Sequence, residues 1–159
     1  DSHDADGTEI ARMPVPAGLT AETLKEQMAK FLGDQYQTPP MFSAKKVGGV
    51  PLYKLARQGQ EVAREPRFIR VSKFDLLSWE NPKAKFILSC TKGTYVRTLC
   101  HDLGKRIGCG ARMTALRRIS SDKFNVAEAV TLDELSQMSP STIKKILIPV
   151  RSAVPSLAF

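Results

Sequence analysis

Polar and apolar residues alternate along residues 83–91, and the spacing changes directly afterwards. The apolar positions of the alternating stretch are Ala84, Phe86, Leu88 and Cys90. A period of two predicts a half-buried strand. From residue 96 onward, apolar residues recur at helical spacing and end before Gly108; they are Val96, Leu99, Leu103 and Ile107. The pattern therefore predicts a strand that passes through a short polar turn into a helix.

The turn between that strand and that helix holds the best candidates for chemistry. Gly93 allows backbone angles that other residues resist, and a helix N-terminus offers free N–H groups to phosphate or carboxylate. Tyr95 and Arg97 stand at this point. Two residues apart, they share a face of an extended chain and oppose each other in a helix. We predict that Tyr95 is extended, so that both side chains open into one cleft at the C-terminal end of the strand.

Similar signals predict the other elements. Thr20 caps a helix that runs to about Leu32. Pro51 suits the first position of a short helix over residues 52–58. The remaining predicted elements are a short strand at residues 8–13, a long strand at 67–79, an extended segment at 110–124, a helix with a capping box from residue 131 to 138, and a further helical turn or two at 142–147.

The positive charge of the chain is unevenly distributed. The net charge is +8 over 159 residues. Residues 1–36 have three basic and seven acidic side chains, whereas residues 37–159 have 21 basic and nine acidic ones. A basic body of this kind indicates a polyanionic partner, although charge alone leaves RNA, DNA, an anionic membrane and a merely soluble basic surface open.

The length and the cysteines indicate which broad class of protein this is. A chain of 159 residues suits one domain, and no apolar run approaches the length of a membrane span. Three cysteines at irregular spacing make a disulfide framework improbable and suit a reducing cytoplasm. Cys100, His101 and Cys109 fit no usual zinc spacing, so we expect no metal.

Two long motifs resemble the TruB family of RNA pseudouridine synthases. Residues 92–98 read Lys-Gly-Thr-Tyr-Val-Arg-Thr, which matches the family pattern Lys-Gly-Thr-Tyr-[Ile/Val]-Arg-Thr. Residues 37–45 read Gln-Thr-Pro-Pro-Met-Phe-Ser-Ala-Lys and, with residues 51–59, match the other family signature. The resemblance covers about residues 1–155, in order and at family spacing.

The resemblance implies a fold and a reaction. The fold is α+β: a mixed, largely antiparallel sheet with flanking helices, forming part of a pseudouridine synthase catalytic domain over residues 1–159, with no PUA domain following. The reaction is isomerisation of the T-loop uridine at position 55 of tRNA, without a cofactor, by a cytoplasmic monomer. By resemblance, Tyr95 contacts the flipped uridine, Arg97 pairs with a catalytic aspartate and Leu116 contacts the base or its sugar. From the residues alone, a core role for Tyr95 or Leu116 and a capping or phosphate-binding role for Arg97 stay open.

The resemblance also indicates how RNA would be held. Residues 38–60, hereafter the clasp segment, match an insertion that closes over the RNA loop in the family. The basic residues expected to contact RNA are Lys45, Lys46, Arg57, Lys92, Arg117 and Arg118. The tRNA T stem-loop is the expected partner, and a membrane is not.

The first residues lead to one expectation about activity. Residues 1–7 read Asp-Ser-His-Asp-Ala-Asp-Gly and resemble a segment in the middle of the TruB catalytic domain. The family aspartate precedes that segment in a Gly-x-Leu-Asp-Pro-type motif, which is absent from the 159 residues. We expect a fragment that is inactive alone, with an N-terminal half supplied separately. A non-catalytic RNA-binding module and a guide-RNA-dependent relative stay open, although residues 43–53 favour the bacterial stand-alone form.

Overall fold

A three-stranded antiparallel sheet organises the computed structural model, which describes residues 2–5 and 7–153. The chain forms two compact units, residues 1–116 and 117–159. In chain order, the elements of the first unit are α1 (Ala21–Ala29), β1 (Gly33–Gln37), β2 (Lys46–Val47), β3 (Val50–Pro51), α2 (Leu52–Arg57), β4 (Arg67–Glu80), β5 (Lys83–Cys90) and α3 (Val96–Ile107). Those of the second unit are β6 (Ser120–Ser121), β7 (Phe124–Asn125), a 3-10 turn (Val126–Glu128), α4 (Leu132–Ser136), α5 (Pro140–Ile146) and α6 (Val150–Ala153). Helices and antiparallel strands together confirm the α+β class.

The sheet has the order β1-β4-β5, with α1 and α3 contributing to the core beside it. The buried core residues are Leu24, Met28, Phe31, Ile69, Val71, Phe74, Leu99 and Leu103. Ile69 and Val71 alternate regularly on β4, but Phe74 follows three positions later. The pairing of β4 with β5 shifts register between Val71 and Lys73. The shift moves the alternation by one residue, so apolar side chains on both sides of it reach the same core.

The predicted strand and helix around the junction are confirmed. β5 spans Lys83–Cys90, and β4 matches the long strand expected at residues 67–79. α3 ends at Ile107 because Gly108 adopts the left-handed conformation, with a φ of 91°, and its N–H bonds back to the Gly104 carbonyl.

The helix capped by Thr20 forms but is shorter than predicted. It ends at Ala29 rather than near residue 32, because the N–H groups of Phe31 and Leu32 turn back to carbonyls three residues earlier. Gly33, with a φ of 93°, then starts β1, a strand that the pattern did not predict.

The short strand predicted at residues 8–13 is wrong. Residues 8–13 form no strand: Ile10 and Met13 are 77% and 56% exposed, so no apolar face favours sheet packing. Instead, Asp4 makes an isolated parallel bridge with Met113. The segment predicted to be extended, residues 110–124, contains that bridge, the two-residue strand β6 and the first residue of β7, with a turn at residues 122 and 123 between the two strands.

The second unit is held by local hydrogen bonds. Thr131 and Glu134 form the predicted capping box at the start of α4, which ends at Ser136, two residues before the predicted end. Ser139 caps α5, so Pro140 starts that helix two residues earlier than predicted. Among residues 117–150, 152 and 153, no residue is buried. Across residues 2–5 and 7–153, no helix is long and apolar enough to cross a bilayer.

Candidate functional site

The turn that leads into α3 is anchored to β4. The Thr91 N–H donates to the Arg70 carbonyl at 2.9 Å, and the Arg70 N–H donates to Thr91 Oγ1 at 3.0 Å. Thr94 Oγ1 donates to the Thr91 carbonyl at 2.8 Å. Gly93 has a φ of 85°, which explains why glycine stands at this point of the turn. These hydrogen bonds fix the position of the backbone just before Tyr95.

Tyr95 is the residue before the first turn of α3. Its backbone is extended, with φ −92° and ψ 100°. The Tyr95 N–H donates to Gln37 Oε1 at 2.8 Å, and Gln37 Nε2 donates to the Tyr95 carbonyl at 3.1 Å. Gln37 closes β1 and is only 5% exposed. The buried amide thus binds both polar groups of the Tyr95 backbone.

Arg97 lies beside Tyr95. Its guanidinium carbon is 5.9 Å from the centroid of the Tyr95 ring, within the range of a cation–π contact. Arg97 Nη2 donates to the Phe42 carbonyl, so the side chain is also attached to the base of the clasp segment. Both side chains are half-buried. They lie together as the extended conformation of Tyr95 predicts, whereas their catalytic roles stay predictions.

Within the described residues, Arg97 has no acidic partner in an ion pair. Asp102, the nearest acid in sequence, lies on α3; burial raises the pKa of its carboxyl, while His101 and Lys105 act in the opposite direction. The half-buried guanidinium of Arg97 is therefore able to receive a carboxylate or a phosphate.

A stacked pair of histidines lies near this site, and sequence analysis gave it no role. The rings of His3 and His101 are 3.7 Å apart at an angle of 7°. Burial lowers the pKa of His3 to about 4, helped by the charges of His101 and Arg97. Burial also lowers the pKa of His101. Both imidazoles are therefore neutral at pH 7, and the positive charge stays on Arg97.

The clasp segment has a buried base and a charged exterior. Leu52 is fully buried, its N–H donates to the Lys45 carbonyl at 2.7 Å, and the Tyr53 N–H donates to the Ser43 carbonyl at 3.0 Å. β2, β3 and α2 form above this base, and α2 confirms the predicted short helix, ending at Arg57. Lys46 is exposed, and the exposed Arg57 guanidinium lies 5.5 Å from the Tyr53 ring centroid.

The other residues predicted to contact RNA are distributed over different parts of the chain. Lys92 is exposed in the turn before Tyr95, and Lys45 is half-buried beside β2. Leu116 is 60% exposed and is the last residue of the first unit. Arg117 and Arg118 are exposed and belong to the second unit. Over the described ranges, no group of three or more His, Cys, Asp or Glu side chains is arranged to hold a metal ion.

Two residues that hold the site together were not predicted from the sequence. Gln37 and Phe42 were recognised only as letters of a motif, yet one binds the Tyr95 backbone and the other binds Arg97. A glutamine at the end of a strand normally faces solvent, so Gln37 was not expected to be buried. Phe42 acts through its backbone carbonyl, which every residue has, so its amino-acid type does not reveal this contact. The available signal was the adjoining Pro39-Pro40, which ends the strand and directs the chain away from the sheet.

Comparison with protein families gives two adjoining matches. Residues 1–96 match the TruB family pseudouridylate synthase (N terminal domain), and residues 97–155 match the tRNA pseudouridylate synthase B C-terminal domain. The boundary between the matches falls between Tyr95 and Arg97. The contact between these two side chains therefore joins residues from both matched regions.

Curated relatives and a solved structure agree with these matches. The chain is 58% identical over 157 residues to tRNA pseudouridine synthase B of Opitutus terrae and 45% identical over 160 residues to that of Syntrophotalea carbinolica. Each alignment includes 99% of this chain, but only 65% of the first relative and 52% of the second. The chain therefore spans only part of the length of these relatives. A chain of a solved Cbf5-Nop10-Gar1 complex is similar to this chain, with a TM-score of 0.67 and 26% sequence identity. The match covers 91% of this chain and 41% of the chain in the complex. The expected pseudouridine synthase fold is confirmed by this likeness.

Proposed function

Since this chain belongs to the TruB family of pseudouridylate synthases, we propose that it takes part in converting a uridine of tRNA to pseudouridine. This proposal is supported mainly by the contact between Arg97 and Tyr95, at a junction that Gln37 and Phe42 hold in place. A flat aromatic face beside a half-buried guanidinium suits a base that has left its stack, together with the carboxylate that attacks its nucleotide.

The reaction is balanced without a cofactor. The bond between C1′ of the ribose and N1 of uracil breaks, and a bond between C1′ and C5 forms. The hydrogen on C5 leaves as a proton, and N1 of the released base gains one. No atom is added and no electron is transferred overall. The protein has to extract the base from its stack, supply a nucleophilic carboxylate and accept the C5 proton.

Tyr95 and Arg97 have distinct tasks in this proposal. The Tyr95 ring packs against the flipped uracil, and its hydroxyl is a polar tip at the edge of the pocket. Arg97 binds the nucleophilic aspartate and keeps it ionised, because a guanidinium stays charged at every working pH. Leu116 provides an apolar contact to the base or its sugar. The exposure of Leu116 agrees with such a contact more than with a core role.

RNA is held mainly by charge in this proposal. The clasp segment closes over the T loop around the uridine at position 55, with Lys45, Lys46 and Arg57 on its phosphates. Lys92 binds phosphate at the start of α3, and Arg117 and Arg118 bind the stem. Three free cysteines fit a reducing cytoplasm, where tRNA is modified.

The motif that contains the nucleophilic aspartate in the family is absent from these 159 residues. No Gly-x-Leu-Asp-Pro-type sequence occurs among them. Asp102 lies within α3 with a raised pKa, which suits a structural acid more than a nucleophile. The chain alone is therefore expected to bind RNA without turnover.

Tritium release tests the proposal. tRNA labelled at C5 of uridine is incubated with the 159-residue chain alone, and with the chain plus a polypeptide that contains the aspartate motif of a relative. We expect release only in the second case, and only from the T-loop uridine. Release by the chain alone would mean that the nucleophile lies within it. No release in either case, with RNA still bound, would favour a non-catalytic RNA-binding role.

A further inference from the structure

A single glutamine side chain replaces a strand partner for Tyr95. Gln37 Oε1 accepts the Tyr95 N–H at 2.8 Å, and Gln37 Nε2 donates to the Tyr95 carbonyl at 3.1 Å. Two hydrogen bonds to the N–H and C=O of one residue are what a neighbouring strand supplies in an antiparallel pair. The amide therefore extends the sheet by one residue, from the end of β1 to the start of α3.

The extended conformation of Tyr95 depends chiefly on the hydrogen bond from its N–H to Gln37 Oε1. Its neighbour Val96 is already helical, and no side chain caps the N-terminus of α3. The Tyr95 carbonyl also accepts the N–H groups of Thr98 and Leu99, at 3.0 and 3.2 Å. The Tyr95 N–H bonds to Gln37 Oε1, and without that bond Tyr95 would be freer to leave φ −92° and ψ 100° and join the helix. In a helix, residues two apart point in nearly opposite directions. The Tyr95 ring would then turn away from the Arg97 guanidinium.

We infer that Gln37 is a positioning residue, which holds Tyr95 extended so that its ring stays beside Arg97 and faces the flipped base. The catalytic part of this inference rests on the function proposed above. Gln37 touches neither substrate nor nucleophile in this scheme, and acts only through the backbone of Tyr95.

Glutamine is well suited to this task. It is 5% exposed, so water competes poorly for its amide. The task needs one donor and one acceptor on the same group, which a neutral carboxamide has and a carboxylate lacks. Leaving the Tyr95 N–H unpaired in a half-buried position has a cost, because its desolvation is not compensated.

A comparison of two glutamine variants tests the inference. Gln37→Met keeps the length and volume of the side chain and removes both hydrogen bonds. Gln35→Met is the matched control on the same strand, since Gln35 also donates to a backbone carbonyl, that of Phe31. In the 159-residue chain, we expect Gln37→Met to abolish the nuclear Overhauser contacts between the Tyr95 ring and the Arg97 side chain and to accelerate exchange of the Tyr95 amide. Gln35→Met should change neither.

A second variant covers the case in which Gln37→Met does not fold. Gln37→Glu keeps the acceptor for the Tyr95 N–H but, as a carboxylate, places a second acceptor oxygen against the Tyr95 carbonyl, which repels it. Once protonated, the buried carboxyl regains a donor. We therefore expect the contacts between Tyr95 and Arg97 to weaken at neutral pH and to recover as pH falls, relative to the unsubstituted chain at each pH. Contacts that persist in either folded variant at neutral pH would overturn the inference.

Kinetics separate positioning from mere stability. Under conditions in which the unsubstituted chain supports turnover, Gln37→Met should lower kcat by about 10²-fold, as a misplacement near 1 Å can do, with little change in KM for tRNA. Unchanged kcat in a variant that lacks the Tyr95–Arg97 contacts would overturn the catalytic part. Absence of turnover by the unsubstituted chain even with the added aspartate-bearing polypeptide would count against the proposed function, and the magnetic resonance comparison would still decide the role of Gln37.

Discussion

The junction around Tyr95 and the clasp segment use polar side chains in opposite ways. At the junction, the polar groups of Gln37, Tyr95 and Arg97 are engaged with one another or with the Phe42 carbonyl, and the amide that organises them is buried. In the described part of the clasp segment, the basic side chains make no ion pair, and Lys46 and Arg57 are exposed. The base of the segment is held by the buried Leu52 side chain and by backbone hydrogen bonds.

The difference teaches which property each region contributes. A side chain with directional partners contributes geometry, so a substitution that keeps its charge still damages it. An exposed lysine contributes charge, so its effect depends on salt and hardly on the shape of the replacement. Substitutions in the two regions should therefore differ in kind, and the largest effect is expected at the junction.

Arg97→Lys should impair turnover although it preserves the positive charge. An ammonium cannot keep both the Phe42 carbonyl and a bidentate carboxylate, so the ion pair with the nucleophile is broken. A loss of about 3 kcal/mol, typical of breaking a buried pair, corresponds to a rate roughly a hundredfold lower. Single-turnover tritium release, with the aspartate-bearing polypeptide added, measures the loss. Arg106→Lys, on the last turn of the same helix, is the control and should be near neutral.

Gly104→Ala should destabilise the helix that holds Arg97. A Cβ on Gly104 would overlap the backbone N of Ala111 and the carbonyl carbon of Gly110. We expect a loss of about 1–3 kcal/mol, despite the better helix propensity of alanine. Urea unfolding measures it. Gly18→Ala meets no atom within 4 Å and serves as the control; an equal loss there would contradict the packing argument.

Replacing Lys45 and Lys46 together with alanine should weaken binding to many RNAs alike. The slope of log affinity against log salt should become shallower by about one for each phosphate that is no longer neutralised. Filter binding over a range of salt concentrations measures it. Lys83→Ala with Lys85→Ala removes the same charge from β5 and should have a smaller effect. Equal reductions in affinity in the two double variants would show that only overall charge matters.

Stability should fall modestly as pH drops from about 6.5 to about 4. In this window the unfolded chain protonates His3, whereas the folded chain resists it because burial lowers the pKa to about 4. His101 contributes in the same direction, since its pKa is also lowered. Asp102 opposes it, because its pKa is raised by folding. Urea midpoints at several pH values measure the effect, and His3→Gln should reduce the slope. A slope that is unchanged in this variant would rule His3 out as its source.

The sequence by itself determined the elements whose signals are local. Alternation predicted β4 and β5, helical spacing and Gly108 predicted α3, and Thr131 with Glu134 predicted a capping box. These succeed because the residues that define each element lie within a few positions of one another. The motif at residues 92–98 likewise identified Tyr95 and Arg97 as the candidate site.

Only the tertiary structure decided how that site is held. Gln37 and Phe42 lie 58 and 55 positions before the residues that they bind, and one of them acts through a carbonyl that any amino acid has. The same limit explains the strand wrongly predicted at residues 8–13, because a strand forms only where a neighbour pairs with it. A local pattern records which side chains are apolar, whereas the partner of a buried amide or an edge strand depends on which distant segment folding brings beside it.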